Sequence, residues 1–277
     1  MLAYGAASLI ECTFGDEAMS APGFSEFAFA DGDIEHRVFR TGDGPGVVIM
    51  HELPGMTKAC TDFAEEVARE FTVFLPLMFG KPGDYAPLRF LVRLCISREF
   101  RLFAHGGGSP IADWMRALCR KVHVECGGPG VGVIGMCLSG NFAISLMADP
   151  SVLAPVASQP SLPLGLSRRS KKALAITQAE MSGAMARAQS GATFLGLRFS
   201  EDRLCPRERF ATLRQAFGPA FMEIEIDSSK GNRWGIRPNA HSILTDDFVD
   251  ESGHPTREAR DAVLAFLRQK LRGSPTV

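Results

Sequence analysis

The sequence lacks a surplus of charge of either sign. Its 277 residues carry 30 basic and 31 acidic side chains, which leaves a formal net charge of -1. No block of like charge stands out, so the composition does not predict a nucleic-acid-binding protein. Hydrophobic residues make up 45% of the chain, which excludes intrinsic disorder. The length is sufficient for a large hydrophobic core.

Paired cysteine motifs and long apolar runs are also absent. The seven cysteines show no CxxC spacing, which is typical of a reduced intracellular protein and does not indicate a zinc site. Apolar runs such as Val131 to Met136 fall well short of the roughly 20 residues that span a bilayer, so no membrane association is predicted. The first residues lack the positive segment of a signal peptide. We therefore expect a cytoplasmic protein, with Met1 or Met19 as its working start.

Strand and helix patterns alternate along the chain. An edge hairpin is predicted over residues 24–40, followed by a buried strand at 47–50 and an amphipathic helix at 57–70. The further predicted strands are 71–75, 131–136, 154–158, 193–199 and 221–227; the further predicted helices are 110–123, 138–148, a stretch ending near 188, 207–217 and 255–271. This alternation predicts an α/β fold whose mostly parallel sheet has helices on both faces.

The domain organisation is predicted to be simple. We expect one domain over residues 24–277, preceded by an extension at 1–23 that has no clear periodicity. Two insertions are predicted, one at 77–109 around a helix near 88–100 and one at 160–190. Insertions of this length often form lids or binding loops.

Two motif matches do not fit their structural context. Gly130, Gly132 and Gly135 match GxGxxG, but they run through a predicted strand instead of opening a helix, so a nucleotide-dependent oxidoreductase is not predicted. His51 and Glu52 begin like a zinc-protease motif, but the second histidine is missing and a proline would interrupt the helix. No metal site is therefore predicted.

The segment around Cys137 predicts a nucleophile on a sharp turn. A buried strand ends at Gly135, and a helix begins soon after Cys137. Such a strained turn needs small neighbours, which Gly135, Ser139 and Gly140 provide. The N–H groups at the start of the helix favour a thiolate and a later oxyanion. The alternative is an inert buried cysteine beside packing glycines.

Two later residues occupy the positions that an acid and a base need. Asp202 follows the strand at 193–199, and His241 lies in the loop before the last helix. Their order after the cysteine is that of α/β-hydrolases. Taken singly, Asp202 also fits a helix start and His241 an ordinary loop histidine. Glu201 is the alternative acid, and His254 is the alternative base or a capping residue.

These residues resemble the dienelactone hydrolases, which are α/β-hydrolases with a cysteine nucleophile. The resemblance rests on His51-Glu-Leu-Pro-Gly-Met56, Gly135-Met-Cys-Leu-Ser-Gly140, Leu195-Gly-Leu-Arg-Phe-Ser-Glu-Asp202 and His241. It covers roughly residues 24–272.

The resemblance implies a division of roles. Cys137, Asp202 and His241 are implied to form the catalytic triad, and the N–H groups of Leu53 and Leu138 the oxyanion hole. It further implies that Glu52 contacts the resting cysteine and manages its proton. From the residues alone, the alternative for Glu52 is a pair with a nearby arginine. No cofactor is expected.

The sequence departs from the family pattern in ways that concern the substrate. Ser139 replaces a common glycine, and the segments 77–109 and 160–190 are longer than expected. The family holds a substrate carboxylate with arginines, for which Arg98 and Arg203 are the candidates here. Aromatic residues are candidates for the walls of the cleft, or for core packing: Trp114, Trp234 and Phe100.

The predicted function is hydrolysis of a small ester or lactone through a cysteine-bound acyl intermediate. A thioesterase or general carboxylesterase shares every residue named above. A non-catalytic relative that binds a small ligand is the alternative from another class, against which the intact set of Cys137, Asp202 and His241 argues. A small-molecule ester or lactone is thus the expected partner.

Overall fold

A computed structural model gives the structure of the protein and describes residues 23–53, 55–83, 110–162 and 171–272. Within these ranges the chain forms one eight-stranded sheet with the order β1-β2-β4-β3-β5-β6-β7-β8. The strands are β1 Ser25–Asp31, β2 Ile34–Thr41, β3 Gly46–Met50, β4 Thr72–Pro76, β5 Val131–Met136, β6 Val152–Ser158, β7 Phe194–Phe199 and β8 Phe221–Ile226. β2 pairs antiparallel with β1 and β4, and the other pairs are parallel.

Helices cover both faces of the sheet. They are α1 Lys58–Ala68, α2 Pro110–Cys126, α3 Gly140–Leu146, α4 Gln178–Gln189, α5 Arg207–Phe217 and α6 Pro255–Leu271. One hydrophobic cluster joins the sheet to α2, α3, α4 and α5, and a second joins it to α1 and α6. The predicted α/β fold with a mostly parallel sheet is therefore confirmed.

The central strands have the composition that burial on both faces requires. Every residue of β3 and β5 is buried, as their unbroken apolar runs predicted. Gly132 in β5 allows close packing of the last helix, since a Cβ there would lie 2.6 Å from a methyl carbon of Leu267. The hairpin at the sheet edge is also confirmed, with Gly32 at a φ of 59° in its turn.

The sheet topology brings distant loops together. Parallel β3, β5, β6, β7 and β8 lie side by side, so the loops that follow them meet at one edge of the sheet. The predicted helix near 88–100 lies outside the described residues. The predicted helix at 138–148 differs in detail, because a 3₁₀ turn at Cys137–Ser139 precedes α3. In the described ranges, no helix is long and apolar enough to cross a membrane.

Candidate active site

The turn at Cys137 has the strained geometry that the sequence predicted. Cys137 follows the last residue of β5 and has a φ of 58°, a left-handed conformation that is unfavourable for a residue with a side chain. Gly135 passes so close to the turn that a Cβ would lie 2.2 Å from the carbonyl oxygen of Ser139. A Cβ on Gly140 would lie 2.9 Å from the Cα of Pro160. The small residues are therefore required by the backbone itself.

This close approach predicts a large effect of Gly135→Ala on stability. The added methyl group meets backbone atoms that cannot rotate away, so we expect a loss of at least about 2 kcal/mol in the free energy of unfolding. Gly127→Ala is the control, because it has a φ of 68° but open space around its Cβ. It should cost only about 1 kcal/mol, for its left-handed backbone. Equal losses for the two variants in denaturant unfolding would contradict the clash.

Ser139 explains the departure from the family glycine. Its hydroxyl lies 2.9 Å from the carbonyl oxygen of Met50 and 2.8 Å from that of Met136, and it accepts from the Met136 N–H at 2.9 Å. Met50 ends β3, the strand next to the turn. The serine therefore ties the Cys137 turn to the neighbouring strand.

Asp202 and His241 form a close pair. Nδ1 of His241 lies 2.7 Å from Oδ2 of Asp202. The other oxygen of Asp202 accepts from the N–H groups of Leu204 at 2.8 Å and Cys205 at 3.1 Å. These contacts fix the carboxylate, and the carboxylate in turn orients the imidazole ring.

The charge state of His241 depends on the groups around its ring. Burial opposes protonation of the ring, but the negative charge on the Cys137 sulfur and the hydrogen bond to Asp202 outweigh it. Together they raise the pKa of His241 well above its ordinary value. The surroundings of the ring therefore favour the protonated form of His241.

The Cys137 sulfur lies between three polar side chains. The hydroxyl oxygen of Ser161 is 2.9 Å from it. A carboxylate oxygen of Glu52, the sulfur of Cys137 and a ring nitrogen of His241 all lie within 4.8 Å of one another. Among the described residues, no nitrogen or oxygen atom is bonded to the buried Nε2 of His241. The imidazole ring instead interacts with the Cys137 sulfur, so the two groups are placed to exchange a proton.

Glu52 is held by hydroxyl and amide groups. Its carboxylate accepts from Ser242 Oγ at 2.8 Å, from Gln159 Nε2 at 3.3 Å and from Thr245 Oγ1. Burial raises the pKa of Glu52, and the charge on His241 and the two hydroxyl groups oppose this rise. Among the described residues, no arginine contacts the Glu52 carboxylate. A carboxylate oxygen of Glu52 lies within 4.8 Å of the Cys137 sulfur, and the implied role of Glu52 in managing the cysteine proton stays a prediction.

The two predicted oxyanion donors follow neighbouring strands of the sheet, β3 and β5. Leu138 is in the first turn after β5, among the amides that lack a partner within the helix. Leu53 is half-buried in the loop after β3. His51 anchors that loop, because its Nδ1 lies 3.1 Å from the Glu52 carbonyl oxygen and its Nε2 accepts from the Met78 N–H at 3.1 Å. Burial lowers the pKa of His51 to about 4, so the ring is neutral.

The alternative residues occupy other positions. Glu201 is exposed, while the neighbouring Asp202 takes the contact with His241. His254 is the N-cap of α6, and its Nδ1 accepts from the Thr256 N–H at 3.3 Å. Arg203 is exposed in the loop after β7.

Two of the aromatic candidates lie among the described residues, and the third, together with the second arginine, does not. Trp114 is buried against Phe29, to whose carbonyl oxygen its Nε1 donates at 3.2 Å. This position agrees with the core-packing alternative. Trp234 packs against His254 and borders a surface groove beside β8. Arg98 and Phe100 lie outside the described residues.

Three residues that contact the site or its loops were not predicted from the sequence. Ser161 contacts the sulfur, and Asp247 accepts from the N–H groups of His241 at 2.8 Å and Ser242 at 3.0 Å. Arg209 is fully buried and donates to three carbonyl oxygens, those of Pro160 at 2.7 Å, Leu204 at 2.7 Å and Ala173 at 2.8 Å. Arg209 thus connects the loops that carry Ser161 and Asp202. No feature of the sequence indicates that Arg209 is buried, because charged residues in a helix usually face solvent.

The sheet order and the strand-turn-helix at Cys137 define an α/β-hydrolase fold. The model of the dienelactone hydrolase family matches residues 37–269 of the sequence. The chain therefore belongs to the dienelactone hydrolase family. No curated protein gives a significant match.

Solved structures with the same fold are distant in sequence. A candidate dienelactone hydrolase from Klebsiella pneumoniae is 17% identical with a TM-score of 0.60, covering 89% of this chain and 98% of its own. A dienelactone hydrolase-like promiscuous phosphotriesterase from metagenomic libraries is 13% identical with a TM-score of 0.57. The match covers 90% of this chain and 98% of the phosphotriesterase chain. A thioesterase domain from the curacin biosynthetic pathway is 10% identical with a TM-score of 0.53, covering 87% and 99%. At these identities the likeness supports the fold alone.

Proposed function

We propose that the protein hydrolyses a small carboxylic ester or lactone with Cys137 as the nucleophile. The observation that carries the proposal is the position of the His241 ring, which lies close to the Cys137 sulfur while Asp202 holds its Nδ1 at 2.7 Å. This is the arrangement that an activated nucleophile needs. The reaction requires no cofactor, and we assign it to the cytoplasm from the unpaired spacing of the cysteines.

The reaction proceeds in two steps. The thiolate of Cys137 attacks the carbonyl carbon, and the N–H groups of Leu53 and Leu138 stabilise the tetrahedral oxyanion. The carbon–oxygen bond to the leaving group then breaks, and His241 donates its proton to that oxygen. Water, deprotonated by His241, attacks the thioester and releases the acid and the cysteine. In a lactone the leaving oxygen stays tethered, so one ring-opened acid results.

Ser161 stabilises the resting nucleophile in this mechanism. A thiolate has no proton, so in the ion pair the Ser161 hydroxyl is the donor across the 2.9 Å contact. Hydrogen bonds to charged groups are stronger than neutral ones. The Ser161→Ala variant should therefore form the thiolate only at higher pH, and the acid limb of its pH profile should move up by about one pH unit.

The rate of iodoacetamide alkylation of Cys137 as a function of pH measures this change without any substrate. Ser151→Ala is the matched control. Ser151 directly precedes β6, the strand that Ser161 follows, and its buried hydroxyl donates to Asp149 at 2.7 Å. Its profile should equal that of the wild type. If the Ser161→Ala profile coincided with those of the wild type and of Ser151→Ala, Ser161 would not stabilise the thiolate.

Asp247 positions the catalytic histidine in this proposal. Its carboxylate holds the N–H groups of His241 and Ser242, and Arg237 Nη2 donates to its other oxygen at 2.8 Å. Loss of these contacts lets the loop shift, and a displacement of about 1 Å in an active site can cost about 100-fold. We expect Asp247→Ala to lower kcat by about 10- to 100-fold.

The control for Asp247 is Asp250→Ala, which removes an exposed acid of the same loop that pairs with Arg257. Steady-state kinetics on an activated ester should give a wild-type kcat for this variant. If Asp247→Ala also keeps the wild-type kcat, the histidine loop does not depend on the carboxylate.

A thioesterase is the second candidate function. It is supported by the chemistry of the site, because a thioester passes through the same acyl-enzyme. The chemistry at Cys137 is identical for both substrates. Only the leaving group differs, a thiol in place of an alcohol.

A substrate panel tests the proposal. Dienelactone hydrolysis is followed by ultraviolet absorbance, beside an activated ester and a short acyl thioester, for the wild type and Cys137→Ala. Lactone turnover that the variant loses supports the lactonase. Turnover of the ester or thioester alone discards the lactone and keeps the mechanism. The absence of turnover on all three favours a non-catalytic binding protein.

A further inference from the structure

Three side chains at the site combine donor types that a transition metal prefers. Among the described residues, Glu52, Cys137 and His241 form a group with one ligand atom each, all within 4.8 Å of one another. Glu52 and Cys137 are buried. Thiolate, imidazole and carboxylate are the three ligand types found in protein zinc sites.

We propose that Glu52, Cys137 and His241 form an inhibitory site for a borderline-soft divalent cation of the Zn²⁺ class. Zinc with three protein ligands keeps a fourth, open position for water. Binding displaces the one proton that the Cys137–His241 pair shares, which passes to solvent, and forms a zinc–sulfur bond and a zinc–nitrogen bond. The nucleophile and the ring nitrogen beside it are then both occupied, so the bound cation blocks the site reversibly.

The histidine is already oriented for a metal. Its Nε2 is buried and, within the described part of the chain, bonds to no nitrogen or oxygen atom, while Nδ1 contacts Asp202 at 2.7 Å. A carboxylate on the opposite ring nitrogen is the outer contact that metal-bound histidines usually have, because it fixes the tautomer and strengthens the ligand. Glu52, Cys137 and Asp202 also supply acidic groups that a divalent cation neutralises.

The geometry requires only small movements. Metal–ligand distances of about 2.0 to 2.3 Å place tetrahedral ligand atoms about 3.5 Å apart. The present atoms, within 4.8 Å, therefore have to approach by at most about 1.3 Å, a distance within the reach of the Cys137 and Glu52 side-chain torsions. Three donors contact the Glu52 carboxylate, and about four lone-pair positions are available on a carboxylate. One position thus remains for the metal.

The site shares its residues with the proposed function but does not depend on turnover. Zinc binding is measured on the purified full chain by calorimetry after chelator treatment. Protection of Cys137 from iodoacetamide is measured in parallel by mass spectrometry. Cobalt(II) serves as a spectroscopic probe, since a sulfur-to-cobalt charge-transfer band reports thiolate ligation.

The expected result is binding of one Zn²⁺ with protection of Cys137 and a charge-transfer band with cobalt. Glu52→Gln should weaken the affinity by more than about tenfold, and Asp202→Asn by about 10- to 100-fold through the histidine. Cys126→Ser is the matched control, a half-buried thiol beside His123 and Glu125 that offers the same ligand types elsewhere. It should leave zinc binding unchanged.

Two outcomes would overturn the site. Binding that survives in Cys137→Ala places the metal elsewhere in the chain. Equal affinity in Glu52→Gln and the wild type reduces the site to a cysteine–histidine pair. Failure of the proposed function has a different signature, since it leaves zinc binding intact while no acyl substrate turns over.

Discussion

Replacement of Cys137 by alanine is expected to lower kcat by about 10³- to 10⁶-fold, the range that loss of a catalytic nucleophile produces. The side chain forms the only covalent bond between protein and substrate in the proposed mechanism. Alanine occupies the left-handed turn at the same backbone cost as cysteine, because both carry a Cβ. The fold should therefore be retained, which circular dichroism and the thermal midpoint can check.

A second thiol provides the control for this variant. Cys126 is a free, half-buried cysteine before the turn that leads into β5, and Cys126→Ala should keep the wild-type kcat. If Cys137→Ala hydrolysed a thioester or ester at the wild-type rate, the nucleophile would have to be a group other than Cys137. A low rate in both variants would indicate that loss of any thiol damages the protein.

Replacement of His241 by alanine is expected to have the second largest effect. Without the imidazolium, the thiolate forms only near the ordinary cysteine pKa of about 8.5, and no group returns a proton to the leaving oxygen. We expect kcat at neutral pH to fall by about 10³-fold or more. The residual rate should rise with pH toward and above about 8.5, because more of the free thiol ionises there.

The pH dependence separates a catalytic role from a structural one. Alkylation of Cys137 in the wild type should proceed at lower pH, since the raised pKa of His241 keeps the ion pair charged. His123→Ala removes an exposed histidine of α2 and should leave both profiles unchanged. Identical alkylation profiles for His241→Ala and the wild type would show that this histidine does not control the thiol.

Much of the fold was predictable from local patterns. The apolar runs of β3 and β5 indicated strands buried on both faces, and the segment around Gly135 and Cys137 predicted the sharp turn after β5. The family membership, which the resemblance implied, is confirmed over residues 37–269. The catalytic roles of Cys137, Asp202 and His241 stay predictions.

The sequence by itself determined the elements and the nucleophile turn, because these depend on neighbouring residues and on backbone sterics. Only the tertiary structure decided which side chains surround the sulfur. Ser161 contacts Cys137 across 24 positions of the chain, and Ser242 contacts Glu52 across 190. Arg209 looks like a surface residue of its helix and is fully buried. Such contacts follow from the order of the strands in the sheet, which places loops distant in sequence at one edge, and no local pattern carries that information.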